Sequence, residues 1–312
     1  MDSTCLFVYT CAKITTNPGV SLKRAYIDLH IAVILLAGTA ILGDLISLSA
    51  SVLVWWRTLI ASAGLIIFLL FAGKIRLEWL RSQRKLYLLG AMVAIHWICF
   101  FGSIKLANAS TALICFATIS LFTAWIEPWV TNRPRERHEI IFGLMVIPGI
   151  ALIAGKAEGD ILLGIILGLI SALLLAIFSS YEKKWINAVD PEHMTMMQMM
   201  GAWVTMCVWL SGEKLLFGVD QFWPERQDII YLLILGLVCT CVAWVLCTRA
   251  VRHVTAFDSI MVINLEPVYG ILMAFLILKD HKELTTSFYI GASIILASVI
   301  IHPIWQYRYA RS

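Results

Sequence analysis

Ten apolar runs constrain what this chain can fold into more than any other feature of the sequence. A helix of about 20 mostly apolar residues crosses the hydrocarbon core of a bilayer, and lipid offers no partners to open, irregular backbone. Because 60% of the residues are hydrophobic and only 14% are charged, the sequence predicts an all-α integral membrane protein with ten transmembrane helices. The runs are 30–48, 52–72, 86–104, 109–130, 140–154, 161–181, 194–210, 229–247, 254–278 and 284–304.

The basic residues between the runs predict the orientation of the chain. With the N-terminus in the cytoplasm, the inner segments carry 17 Lys and Arg, the outer segments carry 6, and Arg57 lies within a run. Membrane proteins concentrate Lys and Arg on the cytoplasmic side, so we expect a multi-pass protein of the cytoplasmic (inner) membrane with both termini inside. No cleaved signal peptide is expected. Orientation explains the basic clusters, so the expected partners are the lipid bilayer and a small molecule, and not a nucleic acid.

Matching residues recur about 147 positions apart, which indicates an internal duplication. Five helices per half is an odd number, so the second half enters the membrane from the opposite side, as in the inverted repeats of secondary transporters. We predict a cytoplasmic tail at 1–28, a first repeat of helices 1–5 at 29–156, a second repeat of helices 6–10 at 157–305 and a second cytoplasmic tail at 306–312. The matching pairs are Gly90 and Gly236, Trp97 and Trp244, Lys105 and Arg252, and Gly143 and Gly291.

Three motifs give the chain a resemblance to a known family. They are Trp55, Trp56 and Arg57 in the second run, residues 96–105 in the third and residues 264–270 in the ninth. Together with the duplication, they make the sequence similar to the EamA family of the drug/metabolite transporter superfamily. The resemblance implies ten helices in a 5+5 inverted repeat, a central cavity and a secondary transporter of small metabolites. The expected solute is an amino acid or a related compound, export is the expected direction, and no cofactor is expected.

The two halves differ at one position of this pattern. Pro267 interrupts the ninth run, whereas Leu121 stands at the matching position of the fourth run. Proline lacks a backbone donor and interrupts the hydrogen-bond ladder of a helix. We therefore expect a helix break at Pro267 and a fourth helix that is straighter at its centre than the ninth.

Glu266 is the leading candidate for a functional residue because it places a carboxyl in the middle of an apolar run. An ionisable group in hydrocarbon is costly, and protein partners or a watery cavity usually offset that cost. Glu266 either binds a proton or a cationic group in a cavity, or acts as a neutral structural carboxyl that bonds a neighbouring helix. Asn264, which points about 200° around the helix from Glu266, and Asp258, about 80° away near the inner mouth, are further candidates.

The third run and its counterpart supply more candidates. His96 lies in the middle of its run and titrates near neutral pH, so it is either a proton relay or a core histidine bonded to a backbone carbonyl. Trp97 and Trp244 occupy matching positions and either stack on a substrate ring from opposite sides or pack against other aromatic residues. Gln198 in the seventh run offers neutral hydrogen bonds to a polar solute.

The remaining charged residues in the runs are assigned by their depth. Asp44 and Arg57 lie at similar depth near the outer side, so we predict a structural ion pair between them. If Arg57 contacts the solute instead, it favours a carboxylate. Glu127 and Glu182 lie at inner helix ends, where long side chains reach water, and they are left out of the predicted site.

Two other classes of function are weighed against the transporter. A membrane enzyme acting on a lipid-linked substrate needs paired acids or a metal set at head-group depth, and the sequence shows neither a catalytic cluster nor a metal site. A channel needs rings of repeated charge or exposed carbonyls. Polar groups that converge on the bilayer midplane favour the transporter, and groups that converge on the interface favour the enzyme.

Overall fold

The computed structural model describes residues 22–132, 159–216, 221–253 and 265–277, with isolated positions elsewhere between 134 and 301. This described part consists of helices joined by short loops and turns, and it contains no strand. The helices are α1 (Leu22–Leu45), α2 (Ala50–Phe71), α3 (Leu77–Ser82), α4 (Lys85–Leu106), α5 (Ala109–Phe116), α6 (Ile119–Thr131), α7 (Gly159–Trp185), α8 (Pro191–Leu216), α9 (Arg226–Leu233), the π-helical segment Ile234–Val242, α10 (Ala243–Val251) and α11 (Glu266–Ile277).

Six helical stretches of the described part are long and apolar enough to cross a bilayer. They correspond to the first, second, third, fourth, sixth and eighth predicted runs. The seventh run forms α8, the least apolar of the long helices, and the ninth run contributes α11. The fifth and tenth runs lie largely outside the described residues. The protein is therefore a multi-pass membrane protein, and the number of ten spans stays a prediction.

The packing of the helices follows the predicted duplication. α4 packs against α7 and α8, and its counterpart, formed by the π-helical segment and α10, packs against α1 and α2. In the same way α6 packs against α7, and α11 packs against α1. Exchanging the two halves therefore reproduces these helix contacts. The core lies between the halves, where side chains from both fill one continuous apolar cluster.

Two glycines bring the halves into backbone contact where α4 crosses α8. A Cβ atom on Gly90 would meet the Gln198 carbonyl oxygen and would lie 2.7 Å from the Ala202 nitrogen. A Cβ atom on Gly201 would lie 2.7 Å from the Cα atom of Tyr87. Small residues allow such close helix approach in membranes, where dispersion contacts hold helices together. The crossing therefore fixes α4 against α8 without any side chain between them.

The fourth span is broken near its centre, where the sequence predicted a helix straighter than that of the ninth run. Because much of the first half of the ninth run lies outside the described residues, the comparison between the two helices stays a prediction. α5 ends at Phe116 and α6 begins at Ile119, with turns at Ala117 and Thr118. The backbone nitrogen of Thr118 donates to the Cys115 carbonyl at 3.1 Å, and the Thr118 hydroxyl donates to the same oxygen at 2.6 Å. A threonine that bonds a nearby carbonyl competes with the helix ladder, so this break forms without a proline.

The break of the fourth span has a counterpart at the matching place in the second half. The offset that pairs Leu121 with Pro267 places Thr118 one residue before Leu265, which is a turn residue immediately before α11. α11 begins at Glu266, so Pro267 stands in its first turn, where the missing N–H of proline has no helical partner to lose. Both halves therefore carry a helix end close to the middle of the bundle.

Candidate functional site

A cavity of about 80 Å³ lies between the two halves. It brings together residues that are far apart in the sequence and that belong to eight of the helices. His96, which lines it, stands halfway along α4, so the cavity is deep in the bundle and not at its surface. The predicted site residues that line it are Arg57, His96, Trp97, Trp244 and Glu266.

Glu266 is held at the cavity by the beginning of α11. Its side chain is 7% exposed, and the turn at Leu265 places it at the helix start. α11 also packs closely on α5, because a Cβ atom on Gly270 would lie 2.6 Å from a methyl carbon of Leu113. The carboxyl therefore stands where the broken spans of the two halves meet.

Arg57 contributes the guanidinium group of the cavity. The side chain is fully buried, and its Nε donates to the Thr240 hydroxyl at 2.8 Å. Its guanidinium carbon lies 3.8 Å from the ring centroid of Trp97, which is the geometry of a cation–π contact. Neither Nη1 nor Nη2 has a hydrogen-bond partner among the described residues. Arg57 thus presents two donors that nothing in the described protein satisfies.

The π-helical segment explains why Thr240 reaches Arg57. The Thr240 hydroxyl donates to the Leu235 carbonyl, five residues earlier, at 2.7 Å. A Cβ atom on Gly236 would lie 2.6 Å from Ile60 of α2, so the segment and α2 are in close contact. Wider winding of this kind turns side chains away from their ordinary helical positions and is frequent at functional sites. It leaves the Thr240 oxygen free to accept from Nε.

The predicted ion pair between Asp44 and Arg57 is wrong. Asp44 is exposed near the end of α1, whereas Arg57 is fully buried against α4 and the π-helical segment. The lysine near this end of α1 is Lys105, whose Nζ donates to the Asp44 carbonyl at 3.4 Å and also to the Ile46 carbonyl. Similar depth along two helices did not bring the charges together, because Arg57 points into the bundle.

His96 makes the contact that its structural interpretation predicts. Its Nδ1 lies 2.9 Å from the Ser171 carbonyl oxygen and 2.8 Å from the Ser171 hydroxyl. The side chain is 3% exposed and stacks on Phe100 at 6.2 Å between ring centroids. His96 therefore joins α4 to α7 and lines the cavity at the same time. A role as a proton relay stays a hypothesis.

Trp97 and Trp244 pack directly against each other. Their ring centroids are 5.4 Å apart, with an angle of 76° between the rings. This edge-to-face pair leaves no room for a substrate ring between them, as the packing interpretation expects. The Trp244 Nε1 donates to the Gln198 side-chain oxygen at 3.2 Å. The tryptophan pair forms one wall of the cavity.

The structure adds Glu182 to the cavity, which sequence reasoning left out. Gln198 is fully buried behind the wall, and its Nε2 donates to Glu182 at 3.1 Å. Glu182 lines the same cavity as Glu266 because α7 continues to Trp185. The sequence carried one signal for this. The aromatic Trp185 follows the charged residues at the end of the run, which indicates that the helix continues past them.

Glu127 was also placed wrongly, because it is buried and does not reach water by snorkelling. Its side chain is 2% exposed, and it lines a second cavity of about 50 Å³. The two cavities share Ile119, Ser179, Glu182 and Ile263. A chain of polar side chains therefore continues from the central cavity toward one end of the bundle. Asp258 and Asn264 lie outside the described residues.

Comparison with known proteins identifies the family of the chain. A family model described as the EamA-like transporter family matches residues 24–155 and, a second time, residues 162–302. The chain belongs to the EamA-like transporter family. Members of this family are membrane transporters of the drug/metabolite type, and the double match fits the two-repeat pattern of the sequence.

A solved structure supports the fold of this EamA-like transporter over nearly its whole length. The structure, described only as "Crystal structure of protein", matches with a TM-score of 0.67 at 14% identity, and the match covers 91% of this chain and 99% of that chain. A comparison with curated proteins found no match. The likeness concerns the fold and carries no information about the solute.

Contacts between the two halves of the EamA-like transporter close both ends of the bundle. At one end, the Ser47 hydroxyl donates to Asp228 at 2.6 Å and the Trp56 Nε1 donates to the Phe222 carbonyl at 2.9 Å. At the other end, Arg249 forms an ion pair with Asp28 at 2.8 Å. The cavity is therefore enclosed by polar contacts that join one half to the other.

Proposed function

We propose that this EamA-like protein is a secondary transporter that exports a small organic metabolite, an amino acid or a related compound, by alternating access. In this proposal the chain crosses the cytoplasmic membrane ten times with both termini inside, and a proton on Glu266 is coupled to solute movement. One observation carries the proposal. Glu266 and the two unsatisfied donors of Arg57 belong to one buried cavity between two duplicated halves.

The size of the cavity supports movement of the halves. Pockets for small organic molecules usually measure about 300 Å³ or more, whereas this cavity measures about 80 Å³. A solute therefore fits only if the two halves separate around it. The contacts that close the ends are hydrogen bonds and an ion pair between the halves, and such contacts break and form again more readily than a packed core.

The depth of the polar groups favours a transporter over a membrane enzyme. His96 and Arg57 are buried in the interior of their helices, and they converge with Glu266 on the cavity. An enzyme acting on a lipid-linked substrate needs its catalytic groups at head-group depth, where that substrate lies. The broken spans that end at the cavity are also the arrangement that secondary transporters use around a solute site.

Exchange measurements in liposomes test this proposal. We expect the reconstituted protein to exchange at least one compound of a panel of labelled amino acids and related metabolites faster than protein-free liposomes do. Ser179 lines both cavities, so Ser179→Trp fills the path and should remove the exchange. Ser211 is exposed on α8, and Ser211→Trp should leave the exchange intact. Exchange that survives in Ser179→Trp would contradict a path through this cavity.

A further inference from the structure

The unsatisfied donors of Arg57 identify the chemistry that the cavity lacks. A buried cation is strongly destabilising unless a counter-charge and hydrogen bonds accompany it. Nε is satisfied by Thr240, but Nη1 and Nη2 have no hydrogen-bond partner in the described part of the chain. The other lining groups that carry hydrogen-bonding capacity at this depth include His96, which is held by Ser171, and Glu182, which is held by Gln198.

We propose that Arg57 binds the carboxylate of the transported solute, and that this carboxylate and Glu266 alternate as the counter-charge of the guanidinium. This assignment rests on the proposed transport function and narrows the solute to a related compound that lacks the ammonium group of an amino acid, a monocarboxylate with an apolar body. A guanidinium presents its N–H groups in a planar fork that matches a carboxylate. Because Nε is occupied, the two Nη atoms form the free edge of that fork.

Trp97 fixes the direction in which the fork points. The guanidinium carbon lies 3.8 Å from the centroid of the Trp97 ring and 5.5 Å from that of Phe101. These contacts hold the face of the group, so only its edge is open to a ligand. The remaining walls are largely apolar, with Leu36, Leu175 and Phe178 among the lining residues. A carboxylate at the fork therefore places the rest of the solute against apolar side chains.

Charge balance in the buried cavity couples the solute to a proton. In the empty cavity, ionised Glu266 balances Arg57. When the solute carboxylate binds Arg57, Glu266 takes up one proton from water, so one anion and one proton enter and the net charge of the cavity is unchanged. Solute and proton then move in the same direction. An exported acid leaves the cell together with one proton, and the concentration gradient of the acid drives this movement.

Several titratable groups surround the pair and have to be separated from Glu266 by experiment. His96 faces the cavity from α4, Glu182 from α7 and Cys247 from α10. Cys239 and Cys241 of the π-helical segment are also buried. Glu182 is the group that resembles Glu266 most, because both are carboxyls that line the same cavity. The test therefore compares the matched variants Glu266→Gln and Glu182→Gln.

Binding of matched acid and amide pairs tests the assignment in the purified full-length protein. The probes are propanoate and propanamide, isocaproate and isocaproamide, and phenylacetate and phenylacetamide. We expect the wild type to bind at least one acid roughly 30-fold or more tightly than its amide. This is about the factor by which affinity falls when a buried charge pair loses one partner. Arg57→Gln should bind that acid and its amide equally. Arg81→Gln, a change at an exposed arginine, should keep the preference of the wild type.

Proton uptake in weakly buffered solution tests the exchange with Glu266. Binding of the preferred acid should take up about one proton in the wild type and in Glu182→Gln, and none in Glu266→Gln, as the charge balance requires. A wild type that binds every amide as tightly as its acid would overturn the assignment, even if Arg57→Gln does not fold. Uptake lost in Glu182→Gln and kept in Glu266→Gln would overturn the exchange. Failure of the transport proposal appears separately, as absent exchange in liposomes.

Discussion

Glu266→Gln should abolish the accumulation that a pH gradient drives and should leave solute counterflow intact. Glutamine keeps the shape and hydrogen-bonding capacity of a protonated carboxyl but cannot release a proton. Glu266 is 7% exposed, and it shares its cavity with Arg57. The variant can therefore still carry bound solute across the membrane, but it can no longer exchange a proton. In proteoliposomes, gradient-driven accumulation should fall to the level of protein-free liposomes.

Glu213→Gln is the matched control for this experiment. Glu213 lies near the end of α8, where it accepts hydrogen bonds from the Ser51 hydroxyl at 2.9 Å and from the Trp209 Nε1 at 3.0 Å. It does not line the central cavity, so the same chemical change there should leave gradient-driven accumulation at the wild-type level. If Glu266→Gln accumulates solute in response to the gradient as the wild type does, Glu266 is not the coupling group.

Gly90→Ala should lower the midpoint of thermal unfolding in detergent. The decrease should be larger than for an alanine at any glycine of α4 or α8 that lies outside the contact between these two helices. The new Cβ atom would meet the Gln198 carbonyl oxygen and would lie 2.7 Å from the Ala202 nitrogen. Backbone atoms cannot rotate away as a side chain does, so α4 and α8 have to separate. Forced overpacking of this kind costs about 1–3 kcal/mol.

Gly212→Ala provides a control with the opposite expected sign. Gly212 also lies within α8, but a Cβ atom there would meet nothing within 4 Å. Alanine is favoured over glycine in a helix by up to about 1 kcal/mol, so this variant should unfold at the wild-type temperature or above it. Equal midpoints for Gly90→Ala and Gly212→Ala would show that the α4–α8 crossing is looser than the backbone contact implies.

The general architecture could be predicted from the sequence because it depends on patterns that act over many residues. A prediction that rests on the length of apolar runs, or on the recurrence of residues such as Trp97 and Trp244, stays valid when a single position is misinterpreted. These patterns indicated a helical membrane protein of two related halves, and the packing of the helices follows this duplication. The same pattern placed Glu266 deep in the bundle, since a carboxyl in an apolar run has few stable alternatives.

The contacts inside the site depend on rotations and helix ends that a sequence pattern does not specify. Arg57 was paired with Asp44 from depth alone, but the direction of the side chain gives it Thr240 as a partner. That partner depends on the π-helical winding of Ile234–Val242, for which the apolar sequence carries no distinct signal. Glu182 was missed because hydropathy ended the sixth run at Tyr181, whereas the helix continues to Trp185.

The break in the fourth span was missed for a similar reason. Proline was used as the signal for a helix break, and Pro267 occurs only in the second half. In the first half the Thr118 hydroxyl takes the Cys115 carbonyl instead, and threonine is too frequent in helices to mark a break by itself. The two halves therefore reach a similar geometry with different residues.

Distances between spin labels on the two halves test the central claim, alternating access around the cavity. One pair joins Leu45 to Leu215 at the end where Ser51 contacts Glu213, and the other joins Leu77 to Lys184 at the opposite end; all four labelled positions are exposed. Transferring the protein from alkaline to acidic buffer with the transported solute should lengthen one distance and shorten the other. Two distances that stay fixed, or that change in the same sense, would contradict alternating access.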